Sequence, residues 1–342
     1  MKEKFYLGTY TKRESKGVYS IELDTSAKSL GNLVLEAEVD SPTYVTLDSS
    51  KNLLYTVSKE EGLGGVTSFK RDTTGQFVKV DQDHFEIAPP CYISLEENSS
   101  LLVTSNYHAG SVVLYQTDSN GKLDRLDLVE HTGSSIHPNQ TKPHVHYSQH
   151  TPDNHFIIAC DLGTDEVITY KVSPDQELRA IATYKSSPGA GPRHIVFHPT
   201  LSIAYLICEL NASIEVLFYD TNTGEFVLKD RVDLLKDDNQ EKWAAAIRIT
   251  ADGRFLYASN RGYDVLVSYL IHPETGLLTF IEEVATYGKV ARDFNLSQND
   301  DFIVVAHQES DNLSLFERDS QNGKLTLLES DVYAPEAVCV YL

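Results

Sequence analysis

The sequence predicts an all-β fold: a seven-bladed β-propeller with four antiparallel strands per blade. Three observations predict it. A short apolar pattern returns seven times, starting at Val45, Ile93, Val145, Ile195, Ile247, Phe294 and Val338, in steps of 44 to 52 residues. A fixed period of this size belongs to propellers and solenoids. A turn marker keeps the same period: Thr74-Gly75, Asn120-Gly121, Thr223-Gly224, Thr275-Gly276 and Asn322-Gly323 each separate two alternating apolar stretches. In the copy starting at Val145 the matching turn is Asp175-Gln176, without glycine. Finally, the chain ends complement each other. Residues 5–10, 17–23 and 33–39 match the second, third and fourth strands of a blade, and 337–342 supplies the missing first strand. The C-terminus is therefore expected to join the N-terminal sheet and close the ring, which removes two open sheet edges.

The copy around Ile247 shows the elements in order. Residues 245–250 form a candidate strand and Asp252-Gly253 is a hairpin signal. A second strand follows at 255–259, a turn at 262–264 and a third strand at 265–270. Thr275-Gly276 turns into a fourth strand at 278–284. Val, Ile, Tyr, Phe and Thr dominate, as strands prefer. Four strands in such a repeat make a propeller blade. No Pro/Gly/Ser-rich linker interrupts the period, so the expectation is a single domain over 1–342. Its blades fall at approximately 1–40 plus 335–342, 41–88, 89–141, 142–190, 191–242, 243–289 and 290–334.

Composition narrows the function. The formal net charge of −21 would repel nucleic acid and anionic membranes at long range, so neither is expected as a partner. No apolar run approaches the ~18 residues of a membrane span. The N-terminus lacks the apolar core of a signal peptide, which points to the cytoplasm. The four cysteines, Cys91, Cys160, Cys208 and Cys339, have no paired spacing and sit in or beside apolar strands, as buried reduced thiols do. The oligomeric state has no signature in the sequence. In so acidic a chain, arginines gathered in one place imply an anionic ligand or buried ion pairs.

Polar residues collect at equivalent places. In a hairpin the start of the first strand and the end of the second lie at the same end of the sheet. Aligning these positions carries His144, His146, Asp161, Arg193, His194, Glu209, Arg248, Asn260, Arg261, Arg292, Asp293 and His307 toward one mouth of the channel. Each has more than one reading. His144 and His146 share a side of an extended strand and could be metal ligands, catalytic bases or channel lining. Neither an HExxH nor a CxxC pattern accompanies them. Asp161 could act on substrate or cap its turn. Glu209 follows an apolar strand and needs a partner, which an arginine would supply. Arg193, Arg261 and Arg292 together suit an anion site. Tyr107, His108, His137 and Asn139 are further rim residues.

The strings Pro143-His-Val-His, Asp161-Leu-Gly-Thr-Asp, Gly189-Ala-Gly-Pro-Arg-His, Ser259-Asn-Arg-Gly and Ala291-Arg-Asp-Phe resemble the seven-bladed propeller lactonase family, which includes propeller-type 6-phosphogluconolactonases and carboxy-cis,cis-muconate lactonising enzymes. The resemblance spans essentially the whole chain. It implies a metal-independent enzyme with no cofactor and a small anionic substrate, acting at one mouth of the channel. It carries the family's histidine, two arginines and glutamate onto the His144/His146 pair, with His146 preferred, and onto Arg193, Arg261 and Glu209. The remaining aligned residues would contact substrate, with Arg292 and Arg248 as phosphate candidates. The implied activity is hydrolysis of a sugar lactone, 6-phospho-D-glucono-1,5-lactone in the first instance. A lactonising cycloisomerase, a metal-dependent lactonase and a non-enzymatic scaffold are the alternatives. Against the scaffold, the chain lacks the Gly-His and Trp-Asp signature of common interaction propellers and has only one tryptophan, Trp243.

Overall fold

The computed structural model describes residues 1–96, 98–236 and 240–342. It contains seven four-stranded antiparallel sheets and no helix among the described residues. Blade one is made from the two chain ends: Ala337–Tyr341, Lys2–Thr9, Gly17–Asp24 and Ser29–Glu38, in that order. Tyr6 pairs with Tyr341 and Leu7 with Val340, so the C-terminal strand closes the ring as expected. The other six blades each use four consecutive strands, and their first strands are Val45–Asp48, Tyr92–Glu96, Val145–His150, Pro192–Phe197, Ala244–Ile249 and Ala291–Leu296. Each first strand contacts the first strands of both neighbouring blades all the way round, which places these strands at the centre.

Burial follows from this stacking. Second strands such as Ile203–Cys208, Phe255–Asn260 and Phe302–His307 are buried at every residue, because both faces of a blade meet a neighbour. The fourth strands, such as Phe226–Asp233, carry exposed residues toward solvent. The core lies between blades rather than within them. Ile207, Ile214 and Val216 of blade five pack on Ile247, Ala258 and Val267 of blade six. Val304 and Leu313 of blade seven pack on Phe5, Leu7 and Ala337 of blade one. A blade alone would leave both apolar faces in water, at ~25 cal/mol for each Å².

The turn marker has a backbone cause. Gly224, Gly276 and Gly323 take φ of 72–73°, a left-handed conformation that glycine adopts without steric cost. In the copy that lacks glycine, Gln176 takes φ of 65° at the matching turn. The substitution therefore keeps the geometry with some strain rather than changing the turn.

Candidate active site

The first strands deliver polar side chains to one mouth through a repeated bulge. In blade four the pairing register passes from Val145↔Asp161 to Tyr147↔Cys160 and leaves His146 as the extra residue. The same slip leaves Arg193 extra in blade five and Arg292 extra in blade seven. A bulge bends its strand and re-aims the unpaired residue, so three polar residues turn toward the channel. In blade six the equivalent stretch is Ala244-Ala245-Ala246. Its small side chains leave room, and the Ala245 carbonyl accepts a hydrogen bond from Arg193 Nη1.

His146 and Arg292 border a cavity of about 620 Å³ lined also by Tyr10, Lys12, Lys59, Cys91, Tyr107, Glu209, Trp243 and Arg261, among others, and Arg193 borders a narrow space with them. At its base Glu209 Oε2 lies 2.7 Å from Arg261 Nη2 and 3.0 Å from Arg193 Nε. Both are charge contacts rather than aligned hydrogen bonds. The cluster is almost dry, with the Arg193 side chain 2% and the Glu209 side chain 6% exposed. Two guanidiniums share one carboxylate, which leaves a net positive charge in a water-poor site. Arg292 reaches Gln308 Oε1 at 3.4 Å and has no carboxylate partner among the described residues.

His146 lies in this field as a neutral ring. Burial is the main reason that its pKa falls well below the usual 6.5, and the charges of Arg193, Arg292 and Arg261 push the same way. Its Nδ1 is buried without a hydrogen-bond partner. Burial pushes the Cys91 thiol up to about 11, so the sulfur in the cavity wall is a neutral thiol. Among the described residues no group of three or more His, Cys, Asp or Glu is placed to hold a metal ion.

Below the cavity a plug of rings crosses the channel. Tyr44, Tyr92 and Tyr147 lie 4.2 and 4.3 Å apart by centroid, and His194 packs 5.5 and 5.1 Å from the last two. Beyond the plug a second cavity of about 570 Å³ opens at the opposite mouth.

The structure brings together His146, Arg193, Glu209, Arg261 and Arg292 of the residues expected at the mouth, and it separates the others. His144 is beside the site but off the cavity wall: its ring stacks on Tyr107 at 4.2 Å and its Nδ1 meets the Tyr107 carbonyl at 2.8 Å. His194 forms the floor, with Nε2 3.4 Å from Arg193 Nη1. Arg248 does not reach this mouth. It stands three residues further along its strand than the bulge position, about 10 Å deeper, and lines the opposite cavity with its Nη2 2.9 Å from Asp293 Oδ1. Charge alone suggests a match that the repeat does not support, because Arg193 precedes Ile195 whereas Arg248 follows the equivalent Ile247. Asp293 is thereby committed to Arg248 and to the Val340 backbone N–H.

Three more candidates serve the backbone. Asp161 is fully buried, accepts the His144 and Gly163 backbone N–H groups, and meets His131 Nδ1 at 2.8 Å. Asn260 caps its turn by accepting from Gly262 and Tyr263. His307 is fully buried with Nδ1 on the Asn312 carbonyl.

Conversely, Tyr10, Lys12, Lys59, Cys91 and Trp243 line the cavity without having been singled out. Tyr10, Lys59 and Cys91 occupy the aligned positions but show no charge pattern across blades. Tyr107, His108 and Asn139 join the wall, and His137 does not line it.

Comparison with known proteins agrees with this fold. The family described as lactonase, 7-bladed beta-propeller, matches residues 4–342. A 6-phosphogluconolactonase of Bacillus subtilis is 38% identical over 98% of this chain and 97% of its own length. An uncharacterised Lactococcus lactis protein is 47% identical over 99% of both chains. The solved structure of a Pseudomonas aeruginosa periplasmic gluconolactonase superimposes with a TM-score of 0.93 at 30% identity, covering 99% of this chain and 98% of that one. With the fold, the channel-mouth cluster and these matches in hand, the chain belongs to the seven-bladed β-propeller lactonase family.

Proposed function

We propose that the chain hydrolyses 6-phospho-D-glucono-1,5-lactone to 6-phosphogluconate at the arginine-lined mouth. The observation that carries this reading is the Arg193–Glu209–Arg261 cluster: Glu209 and Arg261 line the cavity with a neutral His146, and Arg193 borders a narrow space with the same His146. Water attacks the lactone carbonyl carbon as His146 takes one of its protons. The carbonyl electron pair moves onto oxygen. Guanidinium N–H groups of Arg193 and Arg261 not engaged by Glu209 or Ala245 hold that oxyanion in a dry site, where such contacts are strongest. The tetrahedral intermediate then collapses, the bond to the ring oxygen breaks, and the imidazolium returns its proton to that oxygen. The arginines make the imidazolium a strong acid, which suits this second step. Glu209 holds both guanidiniums in place.

The Bacillus subtilis and Pseudomonas aeruginosa relatives carry lactonase names, which supports hydrolysis over cyclisation. The phosphorylated substrate follows the Bacillus relative and fits the surplus of cations at the mouth. It also sets the expected compartment as the cytoplasm. The test is a coupled assay with freshly made 6-phosphogluconolactone and 6-phosphogluconate dehydrogenase, with spontaneous opening subtracted. Acceleration by the wild-type chain that is lost in Arg193→Ala and Glu209→Ala and untouched by a chelator supports the reading. A rate no faster than spontaneous opening overturns the named substrate.

A further inference from the structure

The outer half of the mouth cavity carries cations that the hydrolytic chemistry does not use. Lys12, Lys59 and Arg292 all line it, and they come from the loop after Lys2–Thr9, the end of Leu53–Glu60 and the bulge of Ala291–Leu296. The Lys12 ammonium and the Arg292 guanidinium stand 4.3 and 6.0 Å from the centroid of one ring, Tyr10. None of the three has a carboxylate partner among the described residues. The carboxylate in the cavity wall, Glu209, is already shared by Arg193 and Arg261. Glu241 and Glu309 border an adjoining space, and Glu241 is tied to Trp243 Nε1 at 2.9 Å.

The loop that bears Lys12 is also held in place. The Glu336 carboxylate, 1% exposed, accepts the backbone N–H groups of Lys12, Arg13 and Ser15 at 3.0, 2.8 and 3.1 Å. Arg13 is pinned to Asp311 at 2.6 Å. A carboxylate from the far end of the chain therefore orders a loop whose exposed lysine faces the cavity. Three unpaired cations around one opening, in a chain of net charge −21, suit a group of two negative charges more than a neutral sugar.

We propose that Lys12, Lys59 and Arg292 form a phosphomonoester subsite that selects phosphorylated lactones over plain ones and orients them with the lactone carbonyl toward His146. This rests on the lactonase reading, and the experiment separates the two. In the kinetic arm, kcat/KM is measured for 6-phosphogluconolactone and for glucono-1,5-lactone with wild type and Lys12→Ala/Lys59→Ala. The preference for the phosphorylated lactone should fall roughly 10-fold in the double variant, through KM and not kcat. In the binding arm, 6-phosphogluconate, gluconate and inorganic phosphate are titrated by calorimetry and by emission of Trp243, the single tryptophan, which lines the cavity. Wild type should bind 6-phosphogluconate at least about 10-fold tighter than gluconate. Phosphate should compete, and the double variant should lose most of the preference. Equal binding of the two acids, or a preference that survives in the variant, overturns the subsite. If neither lactone is turned over, the lactonase reading fails, and the binding arm still decides the subsite.

Discussion

The cavities at the two mouths have nearly equal volumes, about 620 and 570 Å³, and a first-strand arginine lines each, Arg292 in one and Arg248 in the other. Their charges are balanced differently. On the far side Arg248 meets Asp293 at 2.9 Å, one to one. Burial works against the charge of Arg248, the Asp293 carboxylate works for it, and its pKa is raised. On the near side Arg193 and Arg261 share Glu209, and burial lowers the pKa of both guanidiniums. The far side is therefore a closed pair in a structural plug. The near side keeps unspent positive charge in a dry pocket beside a neutral imidazole. Uncompensated charge marks a site better than cavity size does, because only uncompensated charge can be answered by a ligand.

That contrast can be broken from either side. The largest effect should come from Glu209→Ala, which leaves two buried guanidiniums unanswered. Loss of about 3–5 kcal/mol in urea denaturation is expected, with activity abolished. At the other mouth, Arg248→Met strands a buried carboxylate and should cost about 3 kcal/mol. Arg248→Met/Asp293→Asn should recover most of that loss, because the pair is removed together, whereas no such rescue exists for Glu209.

Buried histidines give a smaller, pH-dependent effect. Burial lowers His307 to about 4 in the folded chain, against about 6.5 unfolded. The unfolded chain binds more protons between these values. The contribution is therefore complete above pH 6.5 and is lost as pH falls toward 4, on the order of 2 kcal/mol by pH 5. Denaturation at pH 7 and 5 should show this, and His307→Gln should flatten the slope. The smallest expected change is in catalysis itself. With His146 held well below 6.5, kcat/KM should stay flat from pH 8 to 6. An acid limb centred near 6.5 would mean an unperturbed histidine acts instead.

The blades were legible because each repeat carries its own turn chemistry and strand pattern, and even Gln176 obeys the turn that glycine marks elsewhere. Ring closure was legible from the missing strand at one end and the spare strand at the other. Within the site, His146, Arg193, Glu209, Arg261 and Arg292 stood out as charged or titratable residues where strands are apolar. Arg248 was misplaced because charge alone grouped it with Arg193: Arg193 precedes Ile195 by two residues, whereas Arg248 follows the equivalent Ile247. Asp161 and Asn260 resembled site residues because capping a turn and contacting a ligand call for the same side chains. Lys12 was hidden because the carboxylate that orders its loop, Glu336, lies at the opposite end of the chain.

The most direct measurement compares two arginines. Steady-state hydrolysis of 6-phosphogluconolactone is followed for Arg193→Ala and Arg248→Met, each normalised to folded protein. The account predicts a loss of about 10²–10³-fold in kcat/KM for Arg193→Ala and no more than a few-fold change for Arg248→Met. Equal losses in both, or a larger loss at Arg248, would move the chemistry to the opposite mouth and contradict it.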